Sequence, residues 1–183
     1  MDFKQLIEKT FNLFLENIVA LILLTLILIV ISAVSFGLLA PVCSAGYTHA
    51  IIRLVKEGRE PRMQDIFSHM RLFLPLLGFG ILVTLTVFIG YALLILPGIM
   101  IACLIAYACL YMLPLMTDQQ MPLLDAIGES WRMTTTGNLA DNIIVAVIFI
   151  GVVTIGGSTL IGTILTQPIA TVFLAVVYEE KIR

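Results

Sequence analysis

The stretch NIVALILLTLILIVISAVSFGLLAPVCSAGYTHAII, residues 17–52, contains no charged side chain; the nearest are Glu16 and Arg53. One helical crossing of a bilayer takes about 20 mainly apolar residues, so this run is long enough to cross twice. Phe36-Gly37 and Pro41 place chain breakers at its middle. The pattern therefore predicts a helix at about 18–36, a tight turn, and a returning helix at about 38–55.

Two further runs repeat this design. Leu72 to Thr117 is charge-free and has Gly90 and Leu96-Pro97-Gly98 at its centre, which predicts helices at 74–93 and 96–116. Asn142 to Tyr178 carries Gly156-Gly157 and Gln167-Pro168, which predicts helices at 142–160 and 162–179. Pro41, Pro97 and Pro168 either open a returning helix at its first turn or kink it, and both options stay open at this level.

Composition supports the same class. The 183 residues are 60% hydrophobic and 12% charged, with a mean hydropathy of +1.09, whereas about a quarter of residues are charged in a soluble domain. The expected fold is an all-α membrane protein of six transmembrane helices in a single integral membrane domain, with no separate soluble catalytic domain. The first apolar run exceeds the roughly 7–15-residue core of a cleaved signal, so it is read as a retained anchor.

Every Lys, Arg, Asp and Glu falls in the N-terminal segment, the 53–71 linker, the 117–141 linker or the C-terminal tail. An even number of crossings places these four segments on one side. All 10 Lys and Arg lie there, and the excess of basic residues in cytoplasmic loops puts both termini in the cytoplasm.

The charged segments share a pattern of their own. Phe3, Ile7, Phe11, Phe14 and Leu15 line one helical face opposite Asp2, Gln5, Glu8, Lys9, Asn12 and Glu16. Met63, Ile66, Phe67, Met70 and Leu74 oppose Gln64, Asp65, Ser68, His69 and Arg71. Leu123, Leu124, Ile127 and Trp131 oppose Asp125, Glu129 and Arg132, with Pro122 at the first turn. The three begin about 60 residues apart, and each leads into a hairpin. This predicts three parallel pseudo-repeats, at about 1–60, 61–120 and 121–183, each an amphipathic interfacial helix followed by a transmembrane hairpin. Parallel copies differ from the inverted pairs of many secondary transporters.

Sites are harder to read. Cys43, Cys103 and Cys109 lack metal or redox spacing and are expected as small core residues. His49 is expected near the interface and His69 solvated on a polar face; their sequence separation and the absence of clustered carboxylates argue against a metal. No Ser/His/Asp or HExxH arrangement points to hydrolysis. No cofactor or nucleic acid is expected. Arg53, Arg71, Trp131 and Arg132 are the candidate contacts for anionic lipid or a protein partner, because basic and aromatic side chains at a membrane interface meet phosphate. Tyr107, Tyr111 and Thr154 are the candidate lining of an intramembrane polar path. The small residues around Gly46, Gly156-Gly157 and Gly162 suit close helix packing.

Leu96-Pro97-Gly98-Ile99, Ala126 with Ser130-Trp131-Arg132, Gly137-Asn138, and Pro168 with Ala175-Val176-Val177-Tyr178 give the chain a likeness over nearly its whole length. It resembles the membrane-domain family found fused to bacterial glycerophosphoryl diester phosphodiesterases, and its stand-alone YciC-like relatives. The resemblance implies a bacterial inner-membrane protein near lipid metabolism. In the fused proteins the phosphodiester chemistry belongs to a separate barrel, so no catalytic residue is implied here. The expectation is a non-enzymatic module whose cytoplasmic amphipathic collar binds anionic lipid or a protein partner, with a homo-oligomer left open. The alternative is a small permease for a neutral or amphiphilic solute.

Overall fold

A computed structural model describes residues 3–182 except 94 and 137. Asp2, expected on the polar face of the first helix, and Gly137, which stands beside Asn138, lie outside the described residues. Among those described there are nine α-helices and no strand: α1 (Phe3–Glu16), α2 (Ile18–Val34), α3 (Ala40–Glu57), α4 (Phe73–Leu93), α5 (Ile95–Ala108), α6 (Met112–Asp118), α7 (Leu123–Thr135), α8 (Leu139–Gly157) and α9 (Leu160–Ile182). Two 3-10 turns, Met63–Phe67 and Met70–Leu72, lie between α3 and α4.

The stretches Met63–Tyr91, Leu96–Asp118, Leu139–Gly157 and Ile161–Ile182 are each long and apolar enough to cross a membrane. Helices α1 and α2 pass that test only together, bent by 83°, which gives up to five among the described residues if the bent pair is one span. At the bend stands Asn17, whose backbone leaves the helical region (φ −116°, ψ 20°) and whose side-chain amide donates to the Leu13 carbonyl, 3.1 Å. The remaining predicted span, α3, carries Arg53, Lys56 and Glu57 in its last turns and Ser44, Thr48 and His49 before them, so it is not apolar enough.

Burial runs opposite to apolarity. Only 6% of the most apolar window within Met63–Tyr91 is buried, so α4 is peripheral. In contrast, residues 170–179 of α9 are buried on every side, and α3 is buried at Val42, Cys43, Tyr47, Ile51 and Leu54. Where lipid rather than water surrounds a bundle, the central helices need tight packing rather than maximal apolarity. Ala170, Thr171 and Ala175 on α9, with Cys43, Ala45 and Gly46 on α3, supply that packing.

Two glycines set close approaches. A Cβ at Gly46 would lie 2.1 Å from the Ile66 carbonyl oxygen, so α3 rests directly on the first 3-10 turn. A Cβ at Gly98 would lie 2.8 Å from the Tyr91 nitrogen, which lets α5 fold back against α4. Of the prolines at the centres of the apolar runs, Pro41 and Pro97 stand in the first turns of α3 and α5, and Pro168 is inside α9.

The second amphipathic segment is not the α-helix the periodicity predicts. Asp65 accepts from the Arg62 N–H, 2.9 Å, and Ser68 donates to the Asp65 carbonyl, 2.6 Å, closing tight turns that interrupt an α-helical ladder. The three predicted apolar faces also point largely away from the bundle. Ile7, Phe11 and Leu15, Met63, Phe67 and Met70, and Leu124 and Trp131 are all exposed. Inside lie Leu6, Thr10 and Phe14 of α1, Ile66 of the turn, and Ala126, Ser130 and Thr134 of α7.

Candidate functional site

The four charged segments meet at one end of the bundle. Lys9 of α1 pairs with Glu179 of α9, 3.1 Å, and Lys56 of α3 with Asp118 of α6, 2.6 Å. The same Asp118 oxygen accepts from the Tyr178 hydroxyl, 3.0 Å, which in turn accepts from Gln119, 3.1 Å. Each link joins elements far apart in sequence, so the contacts fix the arrangement of the whole polar end.

The most connected part is the C-terminus of α7. The last turn of a helix leaves carbonyls without intrahelical partners. Here Asn142, itself buried, donates to the Thr134 carbonyl, 2.7 Å, and to that of Met133, 3.3 Å. Tyr107 donates to the Thr134 carbonyl as well, 2.7 Å. Lys181 donates to the Met133 carbonyl, 2.8 Å, and to the Asn142 side-chain oxygen, 2.5 Å, and its ammonium lies 4.9 Å from the centre of the Tyr111 ring. A cation there also answers the negative end of the helix dipole. Around this junction is a cavity of about 300 Å³ lined by Arg132, Met133, Thr136, Asn138, Asp141, Asn142 and Lys181. Asn138 caps α8 beside it by accepting from the Ala140 N–H, 3.2 Å. The lining presents two cations and one carboxylate.

One turn further back on α7, Ser130 repairs a broken helix. Between α5 and α6 the ladder is interrupted at Cys109–Tyr111, and unpaired backbone groups are costly away from water. The Ser130 hydroxyl donates to the Ala108 carbonyl, 2.7 Å, and accepts from the Tyr111 N–H, 3.1 Å.

The lipid-contact candidates divide. Arg132 lines the cavity and donates two bonds to Glu129, one of them at 2.8 Å, which holds that carboxyl below the usual carboxylate range. Trp131 is 44% exposed and meets Tyr107 edge-on at 6.4 Å between ring centres. Arg53 stands 3.8 Å from Glu57, and with Arg71 it lies within electrostatic range of His69, on another part of the polar end. The polar-path candidates are not brought into one line. Tyr107 caps α7, Tyr111 is fully buried, and Thr154 is exposed on α8.

Three expectations need correction. His69 is buried rather than solvated, and it is not distant from His49: the ring centres are 4.4 Å apart. The cause is the Gly46–Ile66 contact, which places the residues three positions later on each element side by side. Cys103, expected in the core, is exposed on α5, whereas Cys43 is buried. Among the described residues no three His, Cys, Asp or Glu are grouped to hold a metal.

Sequence reasoning missed Ser130, Asn142, Lys181 and Asp118. Asn142 had a signal: a carboxamide opening an otherwise apolar helix needs polar partners at that depth. Ser130 had another, the spacing Ala126, Ser130, Thr134, a small-residue face four apart.

The fold and site define the class: among the described residues the protein is all-helical, with four apolar helices able to cross a membrane, up to five if the bent pair is one span, compatible with a multi-pass membrane protein. The chain matches no protein-family model, no curated protein and no solved structure.

Proposed function

We propose that this chain is a non-enzymatic, six-span module of the bacterial inner membrane, with both termini in the cytoplasm, whose polar end is a collar that binds anionic lipid headgroups. The observation that carries the reading is the Arg132–Lys181 cavity beside the exposed Trp131. Basic groups next to an interfacial indole suit a lipid phosphate at the depth where headgroups lie.

The outward apolar stripes of α1, the 3-10 turns and α7 support the collar. Segments whose large apolar side chains face out while their ends join the charged network are built to lie in the plane of the interface. Six spans follow from counting α3. Because protein covers α3, its low apolarity does not bar it from crossing. It starts near the exposed, uncharged Phe36-Gly37 turn and ends at Lys56, bound to Asp118. Three units then run in parallel, each an interfacial segment and a hairpin: α1 with α2–α3, the 3-10 turns with α4 and α5–α6, and α7 with α8–α9. The gathering of the Lys and Arg in these segments supports a cytoplasmic collar. The likeness to the YciC-like proteins accords with a role near lipid metabolism.

Native mass spectrometry from mild detergent tests the reading. The wild-type chain is expected to retain phosphatidylglycerol or cardiolipin, and Arg132→Gln with Lys181→Gln to retain markedly less. Equal retention by both overturns it. Adding Arg53→Gln and Arg71→Gln asks whether the second basic group contributes.

A further inference from the structure

A second cavity, of about 530 Å³, lies among α3, α4, α5–α6, α8 and α9, with Leu113, Pro114 and Leu174 at its end nearer the collar. Its depth follows from the helix rise: about 18 Å of helix separates Gln167, on its wall, from Glu179 at the charged end. Thr48, also on the wall, is about 12 Å from Lys56 by the same measure. The described lining contains no Lys, Arg, Asp, Glu or His.

The lining is nevertheless polar in a particular way. Ser44, Thr48 and Gln167 face the cavity, and none of these side chains hydrogen-bonds a described residue. Tyr47 and Thr171 also line it but are already engaged: Tyr47 shares a bond with the Thr25 hydroxyl, 2.9 Å, and Thr171 donates to the Gln167 carbonyl, 2.9 Å. A carboxamide and two hydroxyls left without protein partners at membrane depth are costly, and they are kept only where something else supplies the bonds. Thr84 is likewise engaged, donating to the Gly80 carbonyl, 2.8 Å, and Phe79, Val83 and Leu174 make most of the remaining wall apolar.

We propose that this cavity binds an uncharged amphiphile, whose hydroxyl or carbonyl groups meet Gln167, Thr48 and Ser44 while its hydrocarbon part lies along Phe79, Val83 and Leu174. An anion has no cation to meet there, and a pure hydrocarbon would leave the amide unpaired. The volume is in the range of small-molecule sites, about 300–1,000 Å³. This site is independent of the collar, so either proposal stands or falls alone.

The test uses the full chain in phosphatidylcholine nanodiscs with a diazirine-bearing monooleoylglycerol. Saturable photolabelling that maps to α3 or α9 and is displaced by unlabelled monooleoylglycerol is expected. Gln167→Leu should weaken it about tenfold, the size of effect that one or two lost hydrogen bonds give. Leu82→Ala, on the lipid-facing side of α4, should leave it unchanged. Labelling that does not saturate, that a diazirine-bearing phosphatidylglycerol matches in extent, or that survives Gln167→Leu unaltered overturns the proposal. The saturation and displacement arms use the unmodified chain and do not depend on how the variants fold.

Discussion

Ser130 on α7 accepts the backbone N–H of Tyr111 across 3.1 Å while donating to the Ala108 carbonyl, so one hydroxyl closes both sides of the break between α5 and α6. Replacing it removes a partner from the buried Tyr111 N–H and from the part-buried Ala108 carbonyl.

Ser130→Ala is therefore expected to destabilise the fold by about 1–3 kcal/mol. Unfolding in a graded mixture of mild and denaturing detergent reads this directly. Ser158→Ala is the comparison, because that exposed hydroxyl only bonds the Ile155 carbonyl within its own turn. It should shift the transition by less than about 0.5 kcal/mol. Equal shifts for the two would remove the bridging role.

Gly46→Ala forces a methyl into the Ile66 carbonyl and must separate α3 from the 3-10 turn. A loss of about 1–3 kcal/mol is expected from overpacking of this kind. The His49–His69 contact rests on the same approach. Imidazole NMR signals of both residues should shift in Gly46→Ala, and unchanged signals would show that the contact has another origin.

Asn142 and Lys181 act together on the α7 carbonyls, so their effects should not add. Asn142→Leu is expected to cost about 1–3 kcal/mol, since the Thr134 and Met133 carbonyls each lose one of two donors and the Lys181 ammonium loses one of two acceptors. In a double-mutant cycle with Lys181→Met the coupling should be at least about 0.5 kcal/mol. Simple additivity would mean that the two cap α7 independently.

Glu129 carries the clearest pH dependence outside the spans. Its carboxyl is held down mainly by the hydrogen bond from Arg132. A carboxyl lowered on folding adds stability that is present above its unfolded value, about 4.3, and disappears as pH falls through the lower folded value. A carbon-13 titration of the Glu129 carboxyl should give a midpoint below that value, and Arg132→Ala should raise it. Both pH 7 and pH 5 lie above that window, so thermal melts at the two should agree as far as this pair is concerned.

Much of the fold was legible in the sequence because crossing a bilayer is a local requirement. Uncharged runs with Gly and Pro at their centres predicted the helices α2, α4, α8 and α9 close to their observed bounds, since length and apolarity alone decide whether a helix can lie in lipid. The amphipathic character of α1 and α7 was equally local. The second such segment was misread because Asp65 and Ser68 compete for backbone groups through side-chain bonds that periodicity does not register.

What only the tertiary structure decided is which helices are central and which polar residues share a site. Apolarity points to α4, yet α3 and α9 form the core, because in lipid burial rewards small side chains and close approach rather than greasiness. His49 and His69 meet only through the contact at Gly46. Lys181 reaches Asn142 across 39 positions, and Lys9 reaches Glu179 across 170. The sequence by itself determined that the charges gather at one end of an apolar helical protein; long-range packing determined that Arg132 and Lys181, rather than Arg53 and Arg71, share a cavity there.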